Sequence, residues 1–288
     1  NQLQGLHITN GAALATNPKT GEILAMVGSK DYFEAEAKKQ GNFNVTTASR
    51  QPGSAIKPVN YAVALQNGFT PATIIPDTPI TYMVPGQPPY SPKNYDSRFH
   101  GNVPLRIALA SSYNVPAVKV LSAFGVERMI EQGQKMGITT WNDPSRFGLS
   151  LTLGGGEVKM TDMNVVYGTL SNLGERIDLN PILEVKNYKG EILETIKNKQ
   201  QTAKNVLPPN IAYLLTDILS DNTARTPAFG PSSWLNITGH PHVAVKTGTT
   251  QNLRDNWTIG YTPDFVVAVW VGNNDNTPMS YVASGITG

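Results

Sequence analysis

Three short groups of residues carry hydroxyls, amines and an amide in an arrangement suited to nucleophilic catalysis. They are Ser54-Ala55-Ile56-Lys57, Ser112-Tyr113-Asn114 and Lys246-Thr247-Gly248-Thr249. A serine hydroxyl is a weak nucleophile at neutral pH and needs a base beside it. Residues i and i+3 on a helix share a face, so Lys57 can reach Ser54. A lysine acts as a base only when its pKa is lowered, which burial and the positive end of a helix both favour. A serine at a helix start also brings free backbone N–H groups, a place for a developing oxyanion. Ser112 and Asn114 offer a hydroxyl to relay a proton and an amide to hold a peptide carbonyl. Lys246, Thr247 and Thr249 set a cation and two hydroxyls at one strand end, suited to a carboxylate, and Gly248 lets a ligand backbone come close. Taken singly, each group has a plainer explanation. Ser54 is an N-cap with Lys57 in solvent, Asn114 is a cap ahead of Pro116, and 246–250 is a polar strand end. A second copy of the middle pattern, Ser220-Asp221-Asn222, fits a helix C-terminus.

These groups need a helix start, an inter-helix loop and a strand to hold them. Apolar runs at 11–17 and 22–28 around Pro18-Lys19-Thr20-Gly21 predict a β-hairpin. Residues 54–66 predict a helix ended by Asn67-Gly68. Further helices are predicted at 105–110, 117–124 and 126–136, the first two separated at 111–115, and at 161–173 and 209–219. Residues 182–186 and 191–196 predict a second hairpin around Lys189-Gly190, and 243–246, 256–261 and 265–272 predict closing strands. Residues 29–53 are polar and irregular, and 70–104, rich in proline and tyrosine, read as one long ordered loop. Strands at both ends with helices between them predict an α+β fold. One domain spans 1–288, its sheet drawn from 1–30 and 182–288 around a helical subdomain at roughly 54–175.

The bulk numbers exclude several classes. Of 288 residues, 40% are hydrophobic and 15% charged, with a net charge of +2, too small a bias to argue for nucleic acid. No cysteine is present, which removes disulfides, thiolate catalysis and cysteine-ligated zinc. His240-Pro241-His242 lacks a matching third ligand and reads as surface loop, so no metal and no cofactor is expected. No run of eighteen apolar residues occurs. A start at Asn1 and an end in SGITG suggest a piece of a longer chain.

Together the three groups say more than each does alone. Ser112 lies 58 residues and Lys246 192 residues beyond Ser54 (112 − 54 and 246 − 54). Ser-x-x-Lys, Ser-x-Asn and Lys-Thr-Gly, in that order, form the motif set of penicillin-binding proteins and class A β-lactamases. The likeness reaches further. NPKTGEILAMVGS at 17–29, RQPGS leading to Pro58, LTLGGGEV at 151–158, and the stretch from RDNW at 254–257 to VWVG at 269–272 all resemble the transpeptidase domain of class A, bifunctional penicillin-binding proteins.

That resemblance implies a five-stranded antiparallel sheet flanked by helices beside a helical subdomain, with the site in the cleft between them. It implies Ser54 as the acyl-accepting nucleophile, Lys57 as the base for acylation, Ser112 and Asn114 as proton relay and substrate holder, and Lys246, Thr247, Gly248 and Thr249 as the substrate-binding strand. The backbone N–H groups of Ser54 and Thr249 would form the oxyanion hole, each donor worth on the order of 3 kcal/mol. The implied reaction is D,D-transpeptidation of peptidoglycan stem peptides, from a D-Ala-D-Ala donor to an amine acceptor, with β-lactams as covalent inhibitors. It also implies an upstream glycosyltransferase domain, a membrane anchor and a location on the extracytoplasmic face of a bacterial cell membrane. A D,D-carboxypeptidase, a β-lactamase and a β-lactam-sensing receptor domain remain as alternatives. Ala55 and Ile56 depart from the threonine or serine and the phenylalanine of many relatives, and Val245 stands where many have glycine.

Overall fold

The computed structural model describes residues 5–34, 40–83, 86, 88–195 and 203–280. The first four residues of the 1–30 segment, Ile196 of the second predicted hairpin and the closing SGITG lie outside these.

β1 (Asn10–Thr16) alternates buried and half-buried residues, the period of a strand with one face on a core. It pairs with β2 (Ile23–Val27) as the predicted hairpin. A 3₁₀ turn at Gly53–Ile56 leads into α1 (Lys57–Gln66), which is buried on nearly every side up to Leu65 and so is a central helix rather than an amphipathic surface one. β3 (Ile74–Asp77) and β4 (Gly101–Pro104) pair antiparallel inside the segment expected to be loop. Each is four residues long and carries a proline, which hid it from period-two reading.

α2 (Leu105–Ala110), α3 (Asn114–Phe124), α4 (Val126–Met136) and α5 (Met160–Ser171) follow. α3 starts three residues earlier than predicted, which puts Pro116 in its first turn, where a missing N–H costs little. β5 (Glu175–Arg176) and, past the next hairpin, β8 (Lys204–Asn205) make a small ribbon. Between them β6 (Glu184–Lys186) and β7 (Ile192–Thr195) make another. α6 (Pro209–Ser220) and α7 (Asn222–Phe229) precede the last strands, β9 (Ala244–Thr249), β10 (Asp255–Tyr261) and β11 (Val266–Gly272).

The main sheet is antiparallel with strand order β2-β1-β11-β10-β9. It is assembled from both ends of the chain, but the predicted second hairpin does not join it. β6 and β7 pair only with each other, so the sheet draws on 10–27 and 244–272 rather than on all of 182–288. Their side chains explain this: β6 and β7 carry no buried residue that would dock them on the core. Trp257 and Trp270 face each other across β10 and β11, fully buried as expected of core residues. β9 is an edge strand, and it packs against the Gly53–Ile56 turn.

Candidate active site

The turn that carries Ser54 is held by backbone contact on two sides. Gly53 has a φ of +54°, and a Cβ there would lie 2.6 Å from the Thr249 carbonyl carbon. On the other side, a Cβ on Gly154 would lie 2.2 Å from Gly53 N. Two strands of backbone therefore close on the Ser54 turn with only hydrogens between them, which explains glycine at 53 and 154. Gly248 serves the same end, since a Cβ on it would meet Pro52 O at 2.1 Å.

Side chains complete the grip. Trp257 Nε1 donates to Gln51 O at 2.9 Å, and Tyr167 Oη donates to Ala55 O at 2.8 Å. Arg50 exchanges backbone bonds with Val158, and its guanidinium donates to Asn274 O at 3.0 Å and stacks 5.1 Å from the Trp270 ring. The RQPGS, LTLGGGEV and RDNW stretches thus meet at one place. Ser54 is not an N-cap, because Pro52 and Ile56 hold the cap positions of the two helical segments and neither makes a side-chain cap bond. The first bond of the turn is donated by Ala55 N to Pro52 O, so the Ser54 N–H lies ahead of the hydrogen-bonded ladder.

Lys57 is fully buried. Its Nζ donates to Ser112 O at 2.6 Å, Asn114 Oδ1 at 2.8 Å and Tyr113 O at 3.1 Å, with Ser112 Oγ at 3.4 Å. Among the described residues no hydrogen bond joins it to Ser54, which departs from the helix-face expectation. Three oxygens of the 112–114 segment outcompete a single hydroxyl for three N–H donors. Two effects oppose each other here. The oxygen cage favours the ammonium, while burial first and the charge of Lys246 second push the Lys57 pKa well below its ordinary value.

Lys246, also buried, donates to Ser112 Oγ at 2.8 Å and to Thr247 O at 2.8 Å. Burial, with a smaller contribution from Arg225, brings its pKa down to about 7. The Ser112 hydroxyl therefore bridges two lysines of lowered pKa, an arrangement able to pass a proton between them. Ser112 itself has a φ of +60°. That strained backbone turns its carbonyl toward Lys57 and its hydroxyl toward both amines.

The chain before the middle motif supplies its support. Asn94 Oδ1 accepts the N–H groups of Asn114 (2.8 Å) and Val115 (3.2 Å), doing the capping that Tyr113 at the N-cap does not. Asn94 Nδ2 donates to both oxygens of the buried Asp77 carboxylate, which also accepts from His100. His100 stacks on Tyr113 with ring centres 3.9 Å apart. Asn114 is thus the first residue of α3, not its cap. Its side chain holds Lys57 through Oδ1 and donates through Nδ2 to Lys93 O at 2.9 Å.

Ser54, Ser112, Asn114, Thr247 and Thr249 line one cavity of about 200 Å³, with Tyr95, Leu153, Phe229 and Gln251 among its walls. Of the tyrosines in the proline-rich 70–104 segment, Tyr95 lines the cavity, while Tyr82 and Tyr90 pair through their backbones. Among the described residues no aspartate or glutamate lines it. Val245 does not line it either, and its side chain lies beside Gly260. Ser220 ends α6 as expected, but Asp221 caps a further helix, α7, whose Ala228 and Phe229 form a cavity wall. Sequence reading missed α7 because Pro227 lies inside it; the Asp221 cap was the available signal. His240 and His242 are exposed.

Comparison with known proteins agrees with this geometry. The family model described as the penicillin binding protein transpeptidase domain matches residues 11–286. Penicillin-binding protein 1A of Rickettsia bellii is 31% identical over 96% of this chain and 36% of its own length. Penicillin-binding protein 1A of Neisseria meningitidis serogroup B is 30% identical over 97% of this chain and 34% of its own. The chain therefore spans about a third of these relatives. The crystal structure of penicillin-binding protein 1A from Haemophilus influenzae superposes with a TM-score of 0.81 at 25% identity, covering 96% of this chain and 45% of that one. The PonA1 protein from Mycobacterium tuberculosis, solved in complex with penicillin V, shares the fold with a TM-score of 0.79 at 24% identity, over 98% of this chain and 74% of that one. With its fold shared and residues 11–286 matched by the family model, this chain belongs to the family of penicillin-binding protein transpeptidase domains.

Proposed function

We propose that the protein is a peptidoglycan D,D-transpeptidase working through an acyl-enzyme on Ser54. The carrying observation is the convergence of Lys57 and Lys246, both buried and of lowered pKa, on the hydroxyl of Ser112 at the cavity lined by Ser54. Ser54 Oγ attacks the carbonyl between two terminal D-alanines. Lys57, in its neutral form, takes the Ser54 proton. The Ser54 and Thr249 N–H groups receive the oxyanion. The C–N bond breaks, and D-alanine leaves with a proton relayed through Ser112. An acceptor amine then attacks the ester, and the proton it loses returns to Ser54 Oγ. Lys246, Thr247 and Thr249 hold the donor carboxylate, the donor backbone lies along the free edge of β9, and Asn114 holds a peptide carbonyl, while the space at Gly248 is taken by Pro52 O of the Ser54 turn and not by the donor. No metal or organic cofactor takes part.

Among the described residues no carboxylate lines the cavity, which supports slow hydrolysis of the acyl-enzyme, since none of them stands there to activate water. That favours a transpeptidase, with β-lactams as long-lived acylating inhibitors, over a β-lactamase. The proposal extends, through the resemblance to class A, bifunctional penicillin-binding proteins, to an upstream glycosyltransferase domain, membrane anchorage and work on the extracytoplasmic face of a bacterial membrane, in keeping with a chain that spans about a third of its relatives' length. The test is intact-protein mass after incubation with penicillin, for wild type and Ser54→Ala. A persistent gain of one penicillin mass in the wild type alone is expected. Consumption of penicillin without an adduct would replace this reading with a β-lactamase. A result with neither an adduct nor penicillin consumption would overturn the activation of Ser54.

A further inference from the structure

The β3–β4 ribbon lies outside the three motifs, yet it delivers two side chains to the middle one. Asp77 ends β3, and His100 stands just before β4, close to it because Asp77 pairs with Gly101. The Asp77 carboxylate is fully buried and shielded from solvent. It accepts from the His100 backbone N–H at 3.0 Å, from His100 Nδ1 at 2.6 Å, and from Asn94 Nδ2 at 2.7 and 3.0 Å. Among the described residues His100 is the only basic side chain bonded to it.

These bonds fix which way the Asn94 amide faces. A carboxylate only accepts, so Asp77 draws the Nδ2 end. Nδ2 also donates to Arg98 O at 2.7 Å. Oδ1 is thereby turned to the start of α3, where it accepts from the N–H groups of Asn114 and Val115. With the amide reversed, donor would meet donor at α3 and acceptor would meet acceptor at Asp77, both of them buried losses. Asn114 Oδ1 and Tyr113 O in turn hold the Lys57 amine. His100 reaches the same segment a second way, through the stack of its ring on Tyr113. Its Nε2 faces Asp96 Oδ2 at 3.1 Å on the solvent side.

Resting on the transpeptidase reading, we propose that His100 is a positioning residue for the reaction. Its Nδ1–H holds the Asp77 carboxylate, Asp77 holds the Asn94 amide, and Asn94 fixes Asn114 and through it the Lys57 amine. Without the Nδ1 donor, Asp77 is a buried carboxylate short of a partner, and no water replaces what it has lost. It then pulls on Asn94 and shifts to find one. The cap of α3 loosens, and the oxygens of 112–114 no longer set Lys57 against Ser54. The bond to Asp77 carries this effect, and the stack on Tyr113 adds to it.

The test compares two substitutions at one position by the rate of penicillin acylation, followed by intact mass, with a thermal melt of each protein. Phenylalanine keeps the stack on Tyr113 and loses the donor to Asp77. Asparagine loses the stack, but its amide reaches the place of Nδ1 and keeps the donor. His100→Phe is expected to slow acylation by about tenfold or more, the scale of a bond to a charged group. His100→Asn is expected to stay within about threefold of wild type. The opposite order, or equal losses, makes His100 a packing residue and overturns the assignment. Should His100→Phe fail to fold, His100→Gln takes its part in the comparison, because its amide reaches the place of Nε2 and not of Nδ1. In an Asn94→Ala protein, adding His100→Phe is expected to change the rate by less than about threefold, because the path is already cut. A further loss of about tenfold in that background overturns the path through Asn94. A wild type that forms no penicillin adduct overturns the transpeptidase reading itself, whereas a wild type that acylates with the order of the variants reversed removes the role of His100 alone.

Discussion

Replacing Gly154 by alanine puts a methyl group where backbone already lies. Gly154 has a φ of +88°, and its Cβ would stand 2.2 Å from Gly53 N and 2.4 Å from Gly53 Cα. Carbon contacts need about 3.5 Å, so the two backbones must part by roughly 1 Å. Gly53 cannot retreat freely, because a Cβ on its own far side would be 2.6 Å from Thr249. The displacement therefore falls on Ser54 and its alignment with the Thr249 N–H. A misplacement of about 1 Å costs on the order of 100-fold in rate. The left-handed backbone adds about 1–3 kcal/mol of instability. Gly155 is the internal control. Its Cβ would first meet Ser150 Oγ at 2.8 Å, a hydroxyl that rotates away, and then the Ser150 carbonyl oxygen at 3.1 Å, a gap that a few tenths of an ångström relieve. The assay is the second-order rate of penicillin acylation, followed by intact mass, with a thermal melt of each variant. Gly154→Ala is expected to acylate about 100-fold slower and Gly155→Ala within about threefold of wild type. A folded Gly154→Ala protein that acylates within threefold of wild type would refute the argument.

Other perturbations reach the site from different directions. Asn94→Ala leaves the N–H groups of Asn114 and Val115 and the Asp77 carboxylate short of partners, so denaturant unfolding should report a loss of about 2–4 kcal/mol and acylation should slow at least tenfold. Trp257→Phe removes the 2.9 Å bond to Gln51 O, and a loss of about 1 kcal/mol with a smaller rate effect than Gly154→Ala is expected in the same two assays. Lys246 holds a proton up to about pH 7 when folded but up to its ordinary value near 10.5 when unfolded. Between those values the unfolded chain binds more protons, so stability rises with pH, by at most about 1.4 kcal/mol per pH unit for this group. Lys246→Met removes that buried charge, so its stability relative to wild type should be greatest near pH 7 and narrow toward pH 9 in urea titrations. A constant gap across that range would show that Lys246 does not titrate there.

The candidate site was legible in the sequence as residue types in a set order, and the fold brings those residues together. Ser54, Lys57, Ser112, Asn114 and Lys246 stand out by spacing, and the helices that carry them follow from apolar periodicity and end signals. The hairpin of β1 and β2 and the closing strands were equally plain, since strand alternation and turn residues are local. Sequence reading missed elements that break local rules. β3 and β4 each contain a proline and pair across a long excursion. α7 has a proline inside, and β6 with β7 looks like any hairpin until its lack of buried side chains sets it apart from the sheet.

Tertiary structure alone decided how the motifs work together. Nothing near Lys57 in sequence says that its amine is fully buried among the oxygens of 112–114, and its lowered pKa follows from that burial and from Lys246, far along the chain. Asn94 looked like an ordinary loop residue and proves to be the cap of α3. The approach of Gly154 and Thr249 to Gly53 joins three segments with no local relation. Sequence by itself determined which groups are available and the local elements that present them, because propensity and periodicity act over a few residues. Burial, close backbone approach and proton affinity awaited the fold, because each depends on water being excluded by segments that only the finished core brings together.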